Sequence, residues 1–261
     1  MRPILRQLLH IIDRTDALLS GLSAKLVRWT GKASQTIHPK HLVNNPHHFW
    51  YIKYIQSGDN VLDIGAGSGA VEAKASALGA SSIGVDIDMR ILRRARASSQ
   101  AKRGCISFVQ ANAEVALPFR GNSFEKVALL DVIEHLDHRI PLLRETVRLL
   151  KPDGLVFISA PNRDNGWKRR LRAAGLPAMD RNHKIEYVLE EFVSELRNGG
   201  LEVVEGPFPT VLETPLAGVI DFIGGISLSI YSRLQQWKID EARRNPGEAT
   251  GWRVVCRLAK L

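Results

Sequence analysis

Cysteine is scarce in this chain, with only Cys105 and Cys256 among 261 residues. Both lie in apolar, strand-like runs. This position favours small buried hydrophobic residues in a reducing compartment over a disulfide. No group of cysteines and histidines has the spacing of a zinc site. The sequence therefore predicts no disulfide and no metal centre, and four histidines are interpreted as surface or capping residues: His38, His41, His47 and His48.

Long apolar runs are missing as well. No stretch reaches the roughly 18 apolar residues of a membrane-spanning helix. Charged and polar residues from Arg6 to Arg14 interrupt the N-terminal stretch, so no signal-peptide core is predicted. The hydrophobic content of 44% and charged content of 24% are ordinary for a globular protein. We therefore expect a cytoplasmic protein with one large α/β domain and additions.

Acidic residues are too few to balance the basic ones, and the net charge is +9. The excess is concentrated at the N-terminus, where residues 1–53 contain eight Lys or Arg but only Asp13 and Asp16. Such a basic end suggests an anionic partner, namely membrane lipid, nucleic acid or an acidic substrate. A solvated cationic surface without a specific partner is the alternative.

Two stretches have the apolar periodicity of an amphipathic helix. In residues 3–29 the stripe runs from Ile4 to Leu26, and we expect it to pack on protein because Asp13 and Asp16 interrupt the polar face. Residues 216–237 are interpreted as a lid, a dimer face or a membrane-resting helix. Peripheral contact with the inner face of the membrane and assembly into an oligomer are both open alternatives. Residues 239–250 are predicted to be an exposed polar return.

The stretch from Val61 to Gly69 (VLDIGAGSG) combines an apolar strand with a glycine-rich turn that opens a helix. Open α/β sheets hold nucleotide-like cofactors at such turns. Asp63 lies inside the strand, so its carboxylate must accept bonds from the turn or from a cationic ligand. Asp86 ends the next strand, 21 residues after Gly65. At this spacing it can accept bonds from both ribose hydroxyls, with a helix N-cap as the alternative.

Strand and helix patterns alternate along the rest of the chain, which implies a parallel sheet with helices on both faces. Strands are predicted near 60–64, 82–86, 105–110, 125–131, 154–160, 201–204 and 252–257, and helices near 70–78, 89–98, 139–150 and 189–198. The predicted fold class is α/β, a doubly wound, mostly parallel seven-stranded sheet.

An ordered set of motifs adds a resemblance to the class I S-adenosylmethionine-dependent methyltransferases, of the type 11-like small-molecule kind. The set comprises the glycine turn, IDMR after Asp86, FVQANAE (108–114), NSF (122–124), DVIEHL (131–136) and LLKPDG (149–154). The resemblance covers about residues 40–205 and the final strand. It implies a Rossmann-like methyltransferase fold over 46–261, with insertions near 161–187 and 207–250, preceded by an N-terminal helix and connector over 1–45. The last two strands are then expected to form an antiparallel edge hairpin, and the aromatic segment 46–56 to cover the cofactor pocket.

The same resemblance implies S-adenosyl-L-methionine as cofactor and assigns residues to it. The turn residues Asp63, Gly65, Ala66, Gly67 and Gly69 would hold its methionine half. Asp86 would bind the ribose and Ile87 the adenine, with contacts to adenine also from Asn112, Ala113 and Glu114. Leu130 and Asp131 would lie near the transferring methyl group, and Asp131 could equally cap the following turn. His135 is expected to be structural, between helix and strand.

The sequence indicates the acceptor and the catalytic groups less specifically than the cofactor-binding residues. His183 and Asp131 are the candidate catalytic residues; His183 could take a proton from a hydroxyl acceptor, or be an exposed loop histidine. The Asn-Pro-Pro-Tyr and Pro-Cys motifs of nucleic-acid methyltransferases are missing, which disfavours nucleic acid. HPKH (38–41) and EATGW (248–252) resemble, more loosely, enzymes of cell-surface polysaccharide assembly, and the basic cluster Lys168–Arg172 suits an anionic sugar or lipid-linked acceptor.

We therefore expect methyl transfer to oxygen of a small-molecule, saccharide or lipid-linked acceptor, with a quinone-type acceptor as a second candidate. Two alternatives remain: a nucleic-acid methyltransferase, and a cofactor-binding regulatory protein without turnover.

Overall fold

A computed structural model describes residues 3–33, 36, 38–43, 47–99 and 105–260. The chain divides into two compact units. The helical unit comprises Met1–Phe49, Asn162–Arg181 and Pro209–Gly251, and the sheet unit comprises Trp50–Pro161, Asn182–Phe208 and Trp252–Leu261. The predicted assignment of 1–45 and 46–261 to separate domains stays a prediction.

The sheet unit is built on seven strands in the order β3-β2-β1-β4-β5-β7-β6. The first five pair in parallel where they neighbour one another. The order runs outward in both directions from β1 and β4, and right-handed crossovers then place helices on both faces. The predicted doubly wound, mostly parallel sheet is confirmed. The strands are β1 (Asn60–Ile64), β2 (Ser81–Asp86), β3 (Ile106–Gln110), β4 (Phe124–Leu130), β5 (Leu150–Pro161), β6 (Leu201–Pro209) and β7 (Gly251–Leu258).

The last two strands run antiparallel at the sheet edge, as expected. Arg257 of β7 bonds Glu202 of β6 at 3.1 Å, and the backbone oxygen of Arg253 lies opposite Gly206. The residue numbers fall along one strand as they rise along the other, which is the pattern of an antiparallel pair.

Helices cover the sheet and enclose its apolar core. The strands bury near-continuous apolar runs, such as Val127, Ala128 and Leu129, as expected for strands covered on both faces. The helices of the chain are α1 (Pro3–Trp29), α2 (Ala70–Ala77), α3 (Met89–Ser99), α4 (Arg139–Leu149), α5 (Gly166–Ala173), α6 (Leu189–Asn198), α7 (Ala217–Ile226) and α8 (Leu228–Arg244), with short 3-10 helices at Pro39–His41, Trp50–Tyr54, Ile133–His135 and Pro246–Glu248.

In the helical unit, α1 and α7 pack closely and run in the same direction. A Cβ added at Gly218 would overlap the backbone of Asp16, and one added at Gly225 would meet Leu26 at 2.7 Å. Asp16 also accepts a 2.6 Å bond from the Gly218 amide. Asp16 therefore belongs to the helix contact and not to the polar face assigned to it from the sequence.

The apolar stripe of α1 is only partly covered. Leu9 and Val27, which lie outside the stripe, are buried. Of the stripe residues, Ile12, Leu22 and Leu26 are half-buried and four are exposed: Ile4, Leu8, Ile11 and Leu18. None of the helices in the described ranges combines the length and hydropathy needed to cross a bilayer.

Three expectations about local structure are wrong in whole or in part. The stretch 216–237 is two helices, because Ser227 is extended and caps α8 with its side chain. Residues 239–250 form an exposed return only at 243–247: α8 continues to Arg244 with Ile239 and Ala242 buried, and Ala249 is buried again after the exposed segment. Ile239 and Ala242 continue the covered face of α8 at helical spacing. Cys105 is exposed, since β3 begins one residue after it.

We expect Gly218→Ala to lower the free energy of unfolding, because its Cβ would overlap the Asp16 backbone. Overpacking of this kind costs about 1–3 kcal/mol. Gly21→Ala in α1 is the matched control, since nothing lies within 4 Å of its Cβ position. This change should raise stability by up to about 1 kcal/mol through helix propensity. Urea unfolding followed by circular dichroism measures both, and equal effects would contradict the close packing.

Candidate active site

The glycine-rich turn lies at the carboxyl end of β1, where the strand order reverses. Ligands of open α/β sheets bind at this position. The amides of Gly65 and Ala66 donate to the backbone oxygen of Val85 at 2.8 and 2.9 Å, which fixes the turn to β2. Gly65 has a φ of 84°, and a Cβ there would meet Val132 at 2.5 Å. Only glycine suits this position.

Two carboxylates are buried directly beside the turn. Asp63 is 3% exposed and Glu72, on α2, is fully buried. Neither oxygen of Glu72 has a hydrogen-bond partner within the described residues. Burial raises the pKa of Glu72 to about 7. Burial, together with the charges of Glu72 and Asp86, raises the pKa of Asp63 well above its usual value.

Glu72 has room because β2 contains a glycine at the facing position. A Cβ at Gly84 would overlap the Glu72 carboxylate. In the sequence Glu72 is recognisable only as a helix former. The cluster of Asp63, Glu72 and Asp86 thus makes the turn attractive to a cation.

Both carboxylate oxygens of Asp86 accept hydrogen bonds from backbone amides. Its Oδ2 accepts from the Gly67 amide at 3.3 Å and its Oδ1 from the Asp88 amide at 2.9 Å. The cap bond at the start of α3 belongs to Asp88, whose Oδ1 accepts from the Arg90 amide. Asp86 is therefore next to the glycine turn, where its predicted ribose role requires it.

The proposed adenine-side residues follow β2 and β3 at the same sheet edge, because Asp86 pairs with Gln110. Ile87 is 65% exposed. Glu114 has a structural role in addition to the predicted one, since its Oε1 accepts from the amides of Asp137 and His138 at 2.7 and 2.8 Å. Asn112 holds the turn that includes Ala113 by accepting from the Glu114 amide at 2.9 Å.

Asp131 follows Leu130 at the end of β4 with a φ of 56°. This left-handed conformation is uncommon outside glycine and often marks functional positions. Its amide donates to Ser159 Oγ at 2.9 Å, and Ser159 donates to Asp131 Oδ1 at 2.6 Å. Burial lowers the pKa of Arg253 to about 10, an effect that the charge of Asp131 partly offsets. Asp131 is thus held in place next to a buried cation.

His183 meets the adjacent residues Glu134 and His135 after β4, although it is distant from them in the sequence. The amides of Lys184 and Ile185 donate to the backbone oxygen of Glu134, which fixes the 182–186 segment there. The rings of His135 and His183 lie 5.0 Å apart. His135 is exposed and lies in the short 3-10 helix between β4 and α4, where its ring nitrogen Nδ1 bonds the backbone oxygen of Asn182 at 3.0 Å.

The carboxylate of Glu134 is buried at 2% exposure, and its Oε2 has no partner in the described ranges. Burial raises its pKa to about 8, and the charges of Asp131 and Glu186 add to the shift. No sequence pattern could have identified this cluster, because 48 residues separate His135 from His183.

Two further expectations concern the surroundings of the site. Trp50, Tyr51 and Tyr54 surround Phe157 with centroid distances of 5.5–5.9 Å. Burial raises the pKa of Tyr51, and the charges of Asp63 and Glu72 add to it, so the aromatic segment lies close to the acidic cluster.

The Lys168–Arg172 cluster, in the helical unit, is partly neutralised within that unit. Arg169 bonds Glu248 at 2.8 Å, and Arg172 bonds Asp164 at 2.5 Å. These two guanidinium groups are therefore less available to an anionic acceptor than the sequence suggested.

Comparison with known proteins gives one family match and several relatives. Residues 62–158 match the family model described as a methyltransferase domain. The chain is 30% identical over 149 residues to the ubiquinone biosynthesis O-methyltransferase of Pseudomonas aeruginosa (strain LESB58), covering 57% of the chain and 64% of that protein. For the protein of the same name from Albidiferax ferrireducens, the identity is 29% over 155 residues, which cover 58% of this chain and 61% of that protein. The chain thus matches less than two thirds of the length of these relatives.

Solved structures share the fold at low identity. An S-adenosylmethionine-dependent methyltransferase from Mesorhizobium loti has a TM-score of 0.56 at 16% identity, covering 81% of this chain and 97% of that one. SpnF, named as a cyclase, has a TM-score of 0.58 at 15% identity, and the match covers 82% of this chain and 79% of SpnF. At these identities the likeness shows the fold alone.

We expect the ligand-free protein to lose stability as the pH rises. Glu72 has a pKa of 4.5 as a free group and about 7 when folded, so the folded state binds more protons within this window. The free energy of unfolding should therefore fall with pH by up to about 1.4 kcal/mol per unit from this group. Asp63 acts in the same direction.

Glu72→Gln should flatten this slope, whereas Glu190→Gln at an exposed position of α6 should not. Denaturant unfolding between pH 5 and about pH 8 measures this slope of the unfolding free energy with pH. A slope that Glu72→Gln leaves unchanged would contradict the assignment.

Proposed function

Because the chain carries a class I methyltransferase domain, we propose that it binds S-adenosyl-L-methionine and transfers a methyl group to an oxygen of a small-molecule or lipid-linked acceptor. The observation that carries the proposal is the acidic cluster of Asp63, Glu72 and Asp86 around the glycine turn. Within this cluster Glu72 is buried without a hydrogen-bond partner among the described residues, which costs free energy unless a cation or a proton compensates its carboxylate. When bound, S-adenosylmethionine supplies an activated methyl group on a cationic sulfonium, together with an ammonium group.

The residues present fit this cofactor. Asp63 and Glu72 would attract the cationic half, with Gly65, Ala66, Gly67 and Gly69 allowing close backbone approach. Asp86 would accept from the ribose hydroxyls, beside Ile87. Adenine contacts come from Asn112, Ala113 and Glu114, and Leu130 and Asp131 border the reacting centre.

For the acceptor, Asp131 and His183 are the proposed catalytic residues. His183 Nδ1 lies 2.9 Å from Glu186 Oε1. Since a carboxylate accepts, Nδ1 carries the proton and Nε2 can take one from an acceptor hydroxyl. Much of the remaining rate enhancement would come from positioning the acceptor in line and excluding water.

The acceptor class is supported by the names of the relatives, which act in ubiquinone biosynthesis as O-methyltransferases. A phenolic, quinone-type acceptor is therefore our first choice, ahead of a saccharide. A cofactor-binding protein without methyl transfer is the second candidate, because a cyclase shares the fold. Incubation with labelled cofactor and a host extract decides between them, since only an enzyme yields a labelled product.

We expect Asp86→Ala to weaken binding of the demethylated cofactor product at least tenfold. The change removes two charge-assisted hydrogen bonds, each worth about 1.5–3 kcal/mol. Asp88→Ala is the control, because that carboxylate bonds Arg90 instead. Isothermal calorimetry measures both variants. Binding of NAD in place of the sulfur nucleosides, or equal affinities in both folded variants, would overturn the cofactor assignment.

We further propose that the helical unit contacts the anionic, cytoplasmic face of a membrane. The exposed apolar residues of α1 recur at spacings of 3, 4 and 7 residues and share one side of the helix: Ile4, Leu8, Ile11 and Leu18. Arg14, Lys25 and Arg28 flank them at helical spacing and are exposed. An apolar stripe with a basic flank is typical of an interfacial helix. A membrane location would also give access to a lipid-linked or quinone-type acceptor.

We expect the protein to sediment with vesicles rich in phosphatidylglycerol at low salt and to be released at high salt. Each Lys or Arg near an anionic surface contributes about 1 kcal/mol, within a Debye length. Ile11→Glu should abolish sedimentation, whereas Ala17→Glu, which adds the same charge on the side of α1 away from the stripe, should retain most of it. Absence of sedimentation, with light scattering showing a dimer, would assign the stripe to a second copy.

A further inference from the structure

We propose that Glu134, His135 and His183 form a binding site for a divalent transition-metal cation. Each residue offers one ligand atom, and these atoms lie within 4.8 Å of one another. Three points this close share a centre at most 4.8 Å divided by √3, about 2.8 Å, from each. Metal bonds to imidazole nitrogen and carboxylate oxygen are about 2.0–2.2 Å long. Side-chain shifts of at most about 0.8 Å therefore complete the site.

Hydrogen bonds at Nδ1 leave the Nε2 atom of each imidazole ring available for coordination. His135 Nδ1 lies 3.0 Å from the backbone oxygen of Asn182, and His183 Nδ1 lies 2.9 Å from Glu186 Oε1. Both partners only accept, so each Nδ1 donates and the Nε2 lone pair remains to bind a cation. Metal-binding histidines typically donate their other ring N–H to a carbonyl or carboxylate.

The third ligand supplies a separate observation that points to a cation. Glu134 Oε2 is buried without a partner among the described residues, and Glu134 is only 2% exposed. Burying an unpaired carboxylate in this way is costly unless a positive charge offsets it.

The donor set indicates the class of metal. Two imidazoles and one carboxylate favour Mn²⁺, Fe²⁺, Co²⁺ or Zn²⁺ over Mg²⁺ and Ca²⁺, which prefer oxygen ligands. Three protein ligands leave positions open, as in catalytic metal sites. Resting on the proposed function, the acceptor oxygen would occupy one of them. The cation would then replace His183 as the group that favours loss of the hydroxyl proton, because one lone pair cannot serve both roles.

The test is metal binding by the chelator-treated full chain, with Zn²⁺ measured by calorimetry and Mn²⁺ by the paramagnetic resonance of free ion. We expect one equivalent per chain and a preference for both ions over Mg²⁺. Glu134→Gln and His183→Ala should each lower the affinity at least tenfold. Glu186→Gln should lower it about 10–100-fold through His183. His138→Ala, an exposed neighbour outside the cluster, should leave it unchanged.

Circular dichroism checks that each variant is folded, and the isosteric Glu134→Gln remains informative if a histidine variant unfolds. No stoichiometric binding, or equal binding by the folded Glu134→Gln and His138→Ala variants, would overturn the site. Binding of the demethylated cofactor product, measured in the same samples, is expected to persist in all of them. Metal binding without any methyl transfer would count against the proposed function alone.

Discussion

The burial of carboxylates at the carboxyl ends of β1 and β4 is the constraint on which the site depends. Asp63 and Glu72 are withdrawn from water beside the glycine turn, and Gly84 leaves the space that Glu72 occupies. A buried unpaired charge costs several kcal/mol, so the acids must be protonated or meet a cation. A pocket with this requirement favours a positively charged ligand over a neutral or anionic one. The glycine turn, which lets such a ligand approach the backbone, is the complementary half of the same arrangement.

A third buried acid, Glu134, lies one turn after β4 and is surrounded by different groups. Beside Glu72 there is apolar packing and a glycine, which suit an organic cation. Beside Glu134 there are two imidazole rings held by Asn182 and Glu186, which suit a metal ion. Asp131 lies close to the second region, because its charge raises the pKa of Glu134, and its bonds to Ser159 hold it there. The same physical requirement, compensation of buried negative charge, therefore supports both the proposed cofactor and the proposed metal ion.

The helical unit follows another rule, in which small residues permit close contact and leave apolar surface elsewhere. Gly218 and Gly225 let α7 approach α1 so closely that Asp16 bonds the α7 backbone. With this face of α1 occupied, the side that carries Ile11 and Leu18 remains exposed. The resulting surface is both apolar and basic, which is the combination that suits an anionic lipid surface.

The sequence by itself determined the parallel sheet, the position of the glycine turn and the position of Asp86 at the end of β2. Strand periodicity, glycine spacing and an acid at the end of a strand are local patterns, which can be recognised without knowing what packs against them. It also located α1, whose predicted and observed bounds agree. Only the tertiary structure decided that Glu72 is buried, that α8 continues through 239–244, and that His183 meets His135 across 48 residues of chain. Burial of a polar side chain depends on what faces it, here Gly84 on a neighbouring strand. Proximity of distant residues depends on backbone bonds such as those from Lys184 and Ile185 to Glu134. Neither kind of information is present in the periodicity of a single segment.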